Sequence, residues 1–320
     1  MGRRYLVGLR ERDNRVSQRE KHGESVLVVG TPLRQPERVI DRAAVSIPKP
    51  QSNLVLPIEP QTRQQEEGRR RRGLMAMGAA VRAAAADAVV TFLWVLCASA
   101  LGASTAAVTS CLGVQEGAGG HYALLVTASL LAVLLFAFDR LCGALGGASF
   151  NPTDFAASYA AGLDSPSLFS VALRFPAQAA GAVGGALAIS ELMPAQYKHT
   201  LAGPSLKVDP HTGALAEGVL TFVVTLAVLW VIVKGPRNAI LRILLISVSI
   251  VSLIVAGAEY TGPSMNPANA FGWAYVNNWH NTWEQLYVYW ICPFIGALLA
   301  GWIFRAVFLP PAPKPKTKKA

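Results

Sequence analysis

Charge is scarce in most of this chain, and so are the side chains that do acid-base or metal chemistry. Only 15% of the 320 residues are Asp, Glu, Lys or Arg. The first 72 residues hold 16 of the 29 basic and 9 of the 19 acidic ones, which leaves 23 charges for the other 248 positions. An ordinary soluble domain is about one-quarter charged, so the body of the chain does not read as a soluble enzyme. The four cysteines, Cys97, Cys111, Cys142 and Cys292, have neither Cys-x-x-Cys nor metal-ligand spacing, which argues against a disulfide framework or a metal centre. Five scattered histidines form no His-Glu or His-Asp cluster suited to catalysis.

What is abundant is hydrocarbon: 52% of the residues are hydrophobic, and the mean hydropathy is +0.36. A helix needs ~20 mostly apolar residues to cross ~30 Å of lipid. Six segments meet or nearly meet that need, at roughly 84–107, 121–138, 167–190, 214–233, 240–258 and 285–308, with ends good to a few residues. Asp87 and Arg174 interrupt the first and third of them, and an ionised side chain at such depth needs a partner. Lys and Arg collect on cytosolic flanks. They cluster before the first span (Arg69 to Arg72, Arg82), between the fourth and fifth (Lys234, Arg237, Arg242) and in the tail (Lys314, Lys316, Lys318, Lys319), whereas 108–120 and 259–284 have none. That pattern predicts both termini in the cytosol.

Residues 1–76 mix Arg, Gln, Glu and Pro with few aromatics, the composition of a basic, disordered N-terminal extension. They contain no apolar run suited to a signal peptide, and their nine acidic residues argue against a transit peptide. Met75 and Met77 offer an alternative translation start, in which case the extension belongs to the gene model rather than to the protein. Residues 77–309 form the membrane domain, and 310–320 a Lys/Pro-rich cytosolic tail.

The membrane domain repeats itself, with halves at 77–192 and 213–309. "DAVVTF" from Asp87 matches "EGVLTF" from Glu217, "GGASFNPTDF" around Asn151 matches "GPSMNPANAF" around Asn266, and "GAVGG" from Gly181 matches "GALLAG" from Gly296. Each half has three crossings, an odd number, so the second enters the membrane from the opposite face, an inverted repeat of the kind found in transport proteins. Between the second and third crossing of each half stands Asn-Pro, followed by a short run of small or apolar residues. Asn is a favoured N-cap and Pro a favoured first helical residue. Ten residues of helix reach about 15 Å, half the hydrocarbon thickness. The two half-helices therefore start near the midplane, facing each other. If each Asn caps its own helix through its side-chain oxygen, its amide keeps two donors and no acceptor. A water passing there must accept, and its hydrogens point away from the centre on both sides. Each helix start also brings about +0.5 charge, which opposes cations.

The motifs Asn151-Pro152-Thr153 and Asn266-Pro267-Ala268, the acid-xxx-Thr starts at Asp87 and Glu217, and "AQAAGA" from Ala177 resemble those of the aquaporin (major intrinsic protein) family. Over residues 77–320 the chain is most similar to the small basic intrinsic proteins of plants, through Thr153, the lysine-rich tail and "SMNPANAFGWAY". The first 76 residues match nothing in that subgroup. The resemblance implies an all-α membrane fold of six transmembrane helices and two re-entrant half-helices. It further implies a homotetramer in the bilayer with one water pore per chain, no enzymatic activity, no cofactor, no metal and no nucleic-acid partner. Asp87 and Glu217 are then expected to brace the re-entrant loops, and the small residues Gly181, Ala182, Gly185, Gly296, Ala297 and Ala300 to let helices approach closely.

In most of that family the residue directly after the second box is an Arg of the selectivity filter. Here it is Asn269, and counting along the same motifs places Pro263, Ile254 and Leu131 at the other filter positions. Asp154, three residues after Asn151, reads as a first-turn acid stabilised by the helix dipole. The motifs do not choose among water, hydrogen peroxide, urea and glycerol. A secondary transporter would need a charged coupling site at the midplane, where only Asn, Pro, Thr, Ala and Asp154 are on offer. A non-conducting scaffold would have no need of both Asn caps. "KTKKA", with Lys316 and Lys318, resembles a dilysine retrieval signal and points, with the subgroup likeness, to the endoplasmic reticulum.

Overall fold

The computed structural model describes residues 60–113, 120–201 and 203–310. The expectations for residues 1–59 and for the dilysine tail at Lys316 and Lys318 fall outside them. The described residues up to Met75 belong to a unit separate from the one that begins at Ala76, and each is taken by itself.

Among the described residues there are helices and loops and no strand. In chain order the helices are α1 (Pro60–Ser99), α2 (Leu101–Cys111), α3 (His121–Ala144), α4 (Thr153–Ala160), α5 (Leu168–Leu192), a 3-10 turn at Ala195–Thr200, α6 (Pro210–Val233), α7 (Ala239–Gly257), α8 (Pro267–Val276), α9 (Trp283–Leu286), a π-helical turn at Tyr287–Ile291, and α10 (Cys292–Phe308). Disorder through residue 76 is corrected by α1, which is already helical from Pro60. The sequence there is rich in Gln, Glu and Arg, good helix formers, with Glu66 and Glu67 each four residues ahead of an arginine, the favourable order on a helix.

Among the described residues, five segments are long and apolar enough to cross a membrane: Gln64–Cys111, His121–Ala144, Pro210–Val233, Ala239–Gly257 and Trp283–Phe308. The sixth crossing, α5, has 25 residues, or about 37 Å of helix. Its hydropathy is lowered by Arg174 and Gln178, but both are buried within the protein, at 5% and 0% exposure, so they do not meet lipid. Large apolar side chains such as Leu125, Val133, Leu215, Val248 and Val307 lie exposed, as suits a protein whose surroundings are hydrocarbon.

The repeat is visible in the packing. Within the first half, α5 lies so close to α1 that a Cβ on Gly181 would stand 2.2 Å from the Ala88 carbonyl oxygen. Within the second, α10 approaches α6 so that a Cβ on Gly296 would stand 2.2 Å from the Gly218 carbonyl oxygen. The halves also interlock: half-helix α8 packs on α5 of the first half, and half-helix α4 packs on α10 of the second. The contacts of Gly272 with Ala182 and of Gly301 with Ala157 carry this exchange. Across the other side α3 meets α7, and Ser247 Oγ donates to the Ala128 carbonyl at 2.6 Å.

Candidate functional site

The chain leaves α3 through Gly146 and Gly147, at φ 73° and 81°, values natural to glycine. It then passes through a short loop to the first box and starts α4, which has 8 residues. Pro152 has no N–H, so the first donor to be satisfied is that of Thr153. Asn151 Oδ1 accepts it at 3.1 Å and also accepts the Thr153 hydroxyl at 2.9 Å. In the second box Asn266 Oδ1 accepts from the backbone N–H of Ala268 at 3.1 Å and of Asn269 at 3.3 Å, and starts α8, which has 10 residues. Thr153, in place of the alanine of the second box, thus supplies from its hydroxyl the second bond that Asn269 supplies from its backbone.

Each cap reaches across the repeat. Asn151 Nδ2 donates to the Met265 carbonyl at 3.0 Å, and Asn266 Nδ2 donates to the Phe150 carbonyl at 2.9 Å. This corrects the expectation of two free donors on each amide: one N–H of each is spent on the opposite box, and one remains. The correction follows from the short distance between the boxes, since a buried backbone carbonyl takes the nearest donor.

Behind the boxes stand the two acids, both fully buried. Glu217 on α6 accepts from Thr261 Oγ1 at 3.1 Å, Ser264 N at 2.8 Å and Met265 N at 3.0 Å. Two successive N–H groups can face one carboxylate because Met265 adopts φ 51°, a turn of backbone that forms an anion nest. Asp87 on α1, one methylene shorter, accepts the Ser149 N–H at 2.8 Å and the Gln178 amide at 2.8 Å. Its oxygens also take the guanidinium of Arg174, through Nε at 2.6 Å and through Nη2. That guanidinium lies 4.4 Å from the centre of the Phe155 ring on α4. The partner of Arg174 that sequence alone did not identify is therefore Asp87.

A cavity of about 620 Å³ runs beside the boxes and is bordered by Asn151 and Asn266. Leu131, Ile254, Pro263 and Asn269 border it too, as do Thr153 and Asp154, so the four residues counted as a filter share one space. Pro152, Pro267 and Ala268 are buried behind the two asparagines. Two residues not singled out from sequence are Ser149 and Ser264, each two positions before a box asparagine. Ser149 Oγ lies 2.9 Å from Asp154 Oδ2, and Ser264 Oγ lies 3.1 Å from Asn269 Nδ2. The signal for them was the serine shared by "ASFN" and "PSMN". No group of three or more His, Cys, Asp and Glu among the described residues could hold a metal ion.

Residues 75–304 match the sequence profile of the family described as Major intrinsic protein. The chain is 93% identical over 246 residues to Aquaporin SIP1-1 of Zea mays, covering 77% of this chain and 100% of that one. With Aquaporin SIP1-1 of Arabidopsis thaliana it shares 48% identity over 239 residues, 75% of this chain and 98% of that one. Among solved structures, the X-ray structure of the aquaglyceroporin from Plasmodium falciparum superposes with a TM-score of 0.52 at 16% identity, over 69% of this chain and 96% of that one, a likeness of fold. The chain belongs to the major intrinsic protein family, whose members are membrane channels and not enzymes.

Proposed function

We propose that this protein is a passive water channel of an intracellular membrane, with Asn151 and Asn266 at its central constriction. The observation that carries this reading is the reciprocal pair of bonds from Asn151 to Met265 and from Asn266 to Phe150. With its oxygen committed to capping and one N–H to the opposite box, each amide has a single donor left for the cavity. A water molecule between them accepts from both, and its hydrogens turn outward, which breaks a continuous proton wire. The two helix starts add partial positive charge at the same point, which opposes cations but not neutral solutes. The name aquaporin, borne by the relatives, favours water as the solute.

In this reading Leu131, Ile254, Pro263 and Asn269 form the narrow filter, and Asp87 and Glu217 brace the re-entrant loops. A second reading, a channel for a small neutral solute such as hydrogen peroxide, urea or glycerol, is favoured by one observation. Three of those four side chains are apolar and none is the bulky, charged Arg. The protein is further proposed to be a homotetramer with cytosolic termini, resident in the endoplasmic reticulum through Lys316 and Lys318. Changing both lysines to Ala should let a tagged protein leave that membrane.

Stopped-flow swelling of proteoliposomes containing the full chain tests the proposal. Water flux well above that of protein-free vesicles is expected, with no proton leak. Flux equal to that of empty vesicles for water and for each neutral solute would sink both readings in favour of a scaffold.

A further inference from the structure

The contact between Ser264 and Asn269 has a direction that chemistry fixes. Ser264 Oγ lies 2.8 Å from the backbone carbonyl of Asn266 and 3.1 Å from the side-chain amide of Asn269. A serine hydroxyl has one proton, and a carbonyl can only accept. That proton therefore goes to Asn266, and Ser264 meets Asn269 as an acceptor. The part of the amide that faces it must be the NH2. With the amide reversed, two oxygens would stand face to face with no proton between them.

Asn269 Oδ1 is thereby turned away from Ser264. Among the described residues no protein group donates to it, and it is not one of the buried polar atoms that lack a partner. An oxygen neither bonded nor buried is open to solvent, and the residue that carries it borders the 620 Å³ cavity. The repeat places the same pair of positions together in the other half, with the bond reversed, since there Ser149 Oγ donates to the Asp154 carboxylate. Ser149 occupies the place of Ser264 and Asp154 that of Asn269, joined at 2.9 Å, and Asp154 borders the same cavity. Each box asparagine is followed, one helical turn on, by an oxygen-bearing side chain that borders the cavity.

We propose, on the reading that this cavity is the conduction path, that Ser264 is a positioning residue that holds Asn269 as a hydrogen-bond acceptor in the filter. The pore then favours neutral solutes that donate from N–H or O–H over solutes of equal size that only accept. Leu131, Ile254 and Pro263 give a passing solute hydrocarbon, and proline has no N–H to offer. A donating solute keeps one bond at Asn269 as it sheds water. An accepting solute leaves Oδ1 dehydrated and finds in its place only the one Asn269 N–H that Ser264 does not take. One net hydrogen bond corresponds to about fivefold in rate.

The test uses the full chain in proteoliposomes and two neutral solutes of equal heavy-atom count: urea, which donates, and dimethyl sulfoxide, which can only accept. Water flux is recorded in the same vesicles, and every rate is corrected for protein-free ones. The urea to dimethyl sulfoxide ratio of the wild type should exceed that of Ser264→Ala and of Asn269→Leu by about fivefold. Ser264→Thr, which retains a hydroxyl, should keep the wild-type ratio. If Ser264→Ala does not insert into vesicles, Asn269→Leu decides. Equal ratios in the wild type and the variants, with water still passing, overturn the proposal and leave the channel standing. So does a wild type that passes water and excludes both solutes. A wild type that passes neither water nor solute overturns the channel reading, and this inference with it.

Discussion

Arg174 on α5 and Asp87 on α1 form a two-pronged ion pair inside the protein, with side chains 5% and 0% exposed. The second half has no such pair: Glu217 is held by one hydroxyl and two backbone N–H groups. Counting 23 residues from each box asparagine, the place of Arg174 is taken by Tyr289, whose hydroxyl donates to the Thr261 carbonyl at 3.0 Å. Two structurally related loops are thus held by different chemistry, a carboxylate paired with a guanidinium in one and a carboxylate held by neutral donors alone in the other.

The two braces should respond differently to substitution. Arg174→Leu leaves the Asp87 carboxylate buried without its cation, a change that costs about 3–5 kcal/mol. Glu217→Gln keeps one acceptor and sets an amide N–H against a backbone N–H, at a cost of about 1–3 kcal/mol. Unfolding in detergent micelles, followed by tryptophan fluorescence, should rank Arg174→Leu well below Glu217→Gln, and Arg174→Leu with Asp87→Asn should recover part of the loss. Equal losses in the two single variants would contradict the assignment of an ionic brace to one half only.

Close approach of helices predicts a second contrast. A methyl on Gly181 or Gly296 would have to displace a backbone carbonyl, whereas one on Gly184 would stand 3.1 Å from an edge carbon of the Phe92 ring, which can turn. Gly181→Ala and Gly296→Ala should each cost about 1–3 kcal/mol through overpacking, and Gly184→Ala much less. Yield of monodisperse protein on gel filtration is a sufficient readout, and indistinguishable yields would argue against these packing distances.

The boxes, the acids and the small residues were legible because the repeat writes each of them twice. Arg174 was legible as a problem but not as a solution. Its partner lies 87 residues away on another helix, and which face of α1 meets α5 is decided by the close contact at Gly181. The spare donors of Asn151 and Asn266 were overcounted for a related reason, since the carbonyls that take them belong to the other half. The break between α1 and α2 at Ala100 carries no proline or glycine at that position, and no local rule would have found it. The serines at 149 and 264 were visible as matched letters, but a letter does not say which atom its hydroxyl will face.

Asn266→Asp tests the proposed central constriction. A carboxylate can still cap α8, but it loses the N–H that now reaches the Phe150 carbonyl at 2.9 Å and sets an oxygen against an oxygen there. It also adds a charge at a buried position beside the two helix starts, where an ionised side chain is costly to desolvate. Water permeability should fall at least about tenfold, the effect of ~1.4 kcal/mol on a barrier, while a change at lipid-facing Leu125 should leave it unaltered. Wild-type flux and ion exclusion in Asn266→Asp would remove the asparagines from the conduction path.

Asn269→Arg tests the proposed filter. The amide oxygen that Ser264 turns toward the cavity is replaced by a guanidinium that only donates and that carries a fixed positive charge past Ser264 into a space bordered by Leu131, Ile254 and Pro263. The added length narrows the passage, so solutes larger than water should lose flux before water does. The added charge strengthens cation exclusion, which in the wild type rests on the central caps and helix starts. The urea to dimethyl sulfoxide ratio should fall toward that of Asn269→Leu, because donors in the wall now serve the accepting solute. Swelling assays with water, urea, glycerol and dimethyl sulfoxide on the Asn269→Arg protein, with a cation-leak assay on the same vesicles, measure the three effects. Should it admit the same solutes at the same rates as the wild type, Asn269 does not line the filter.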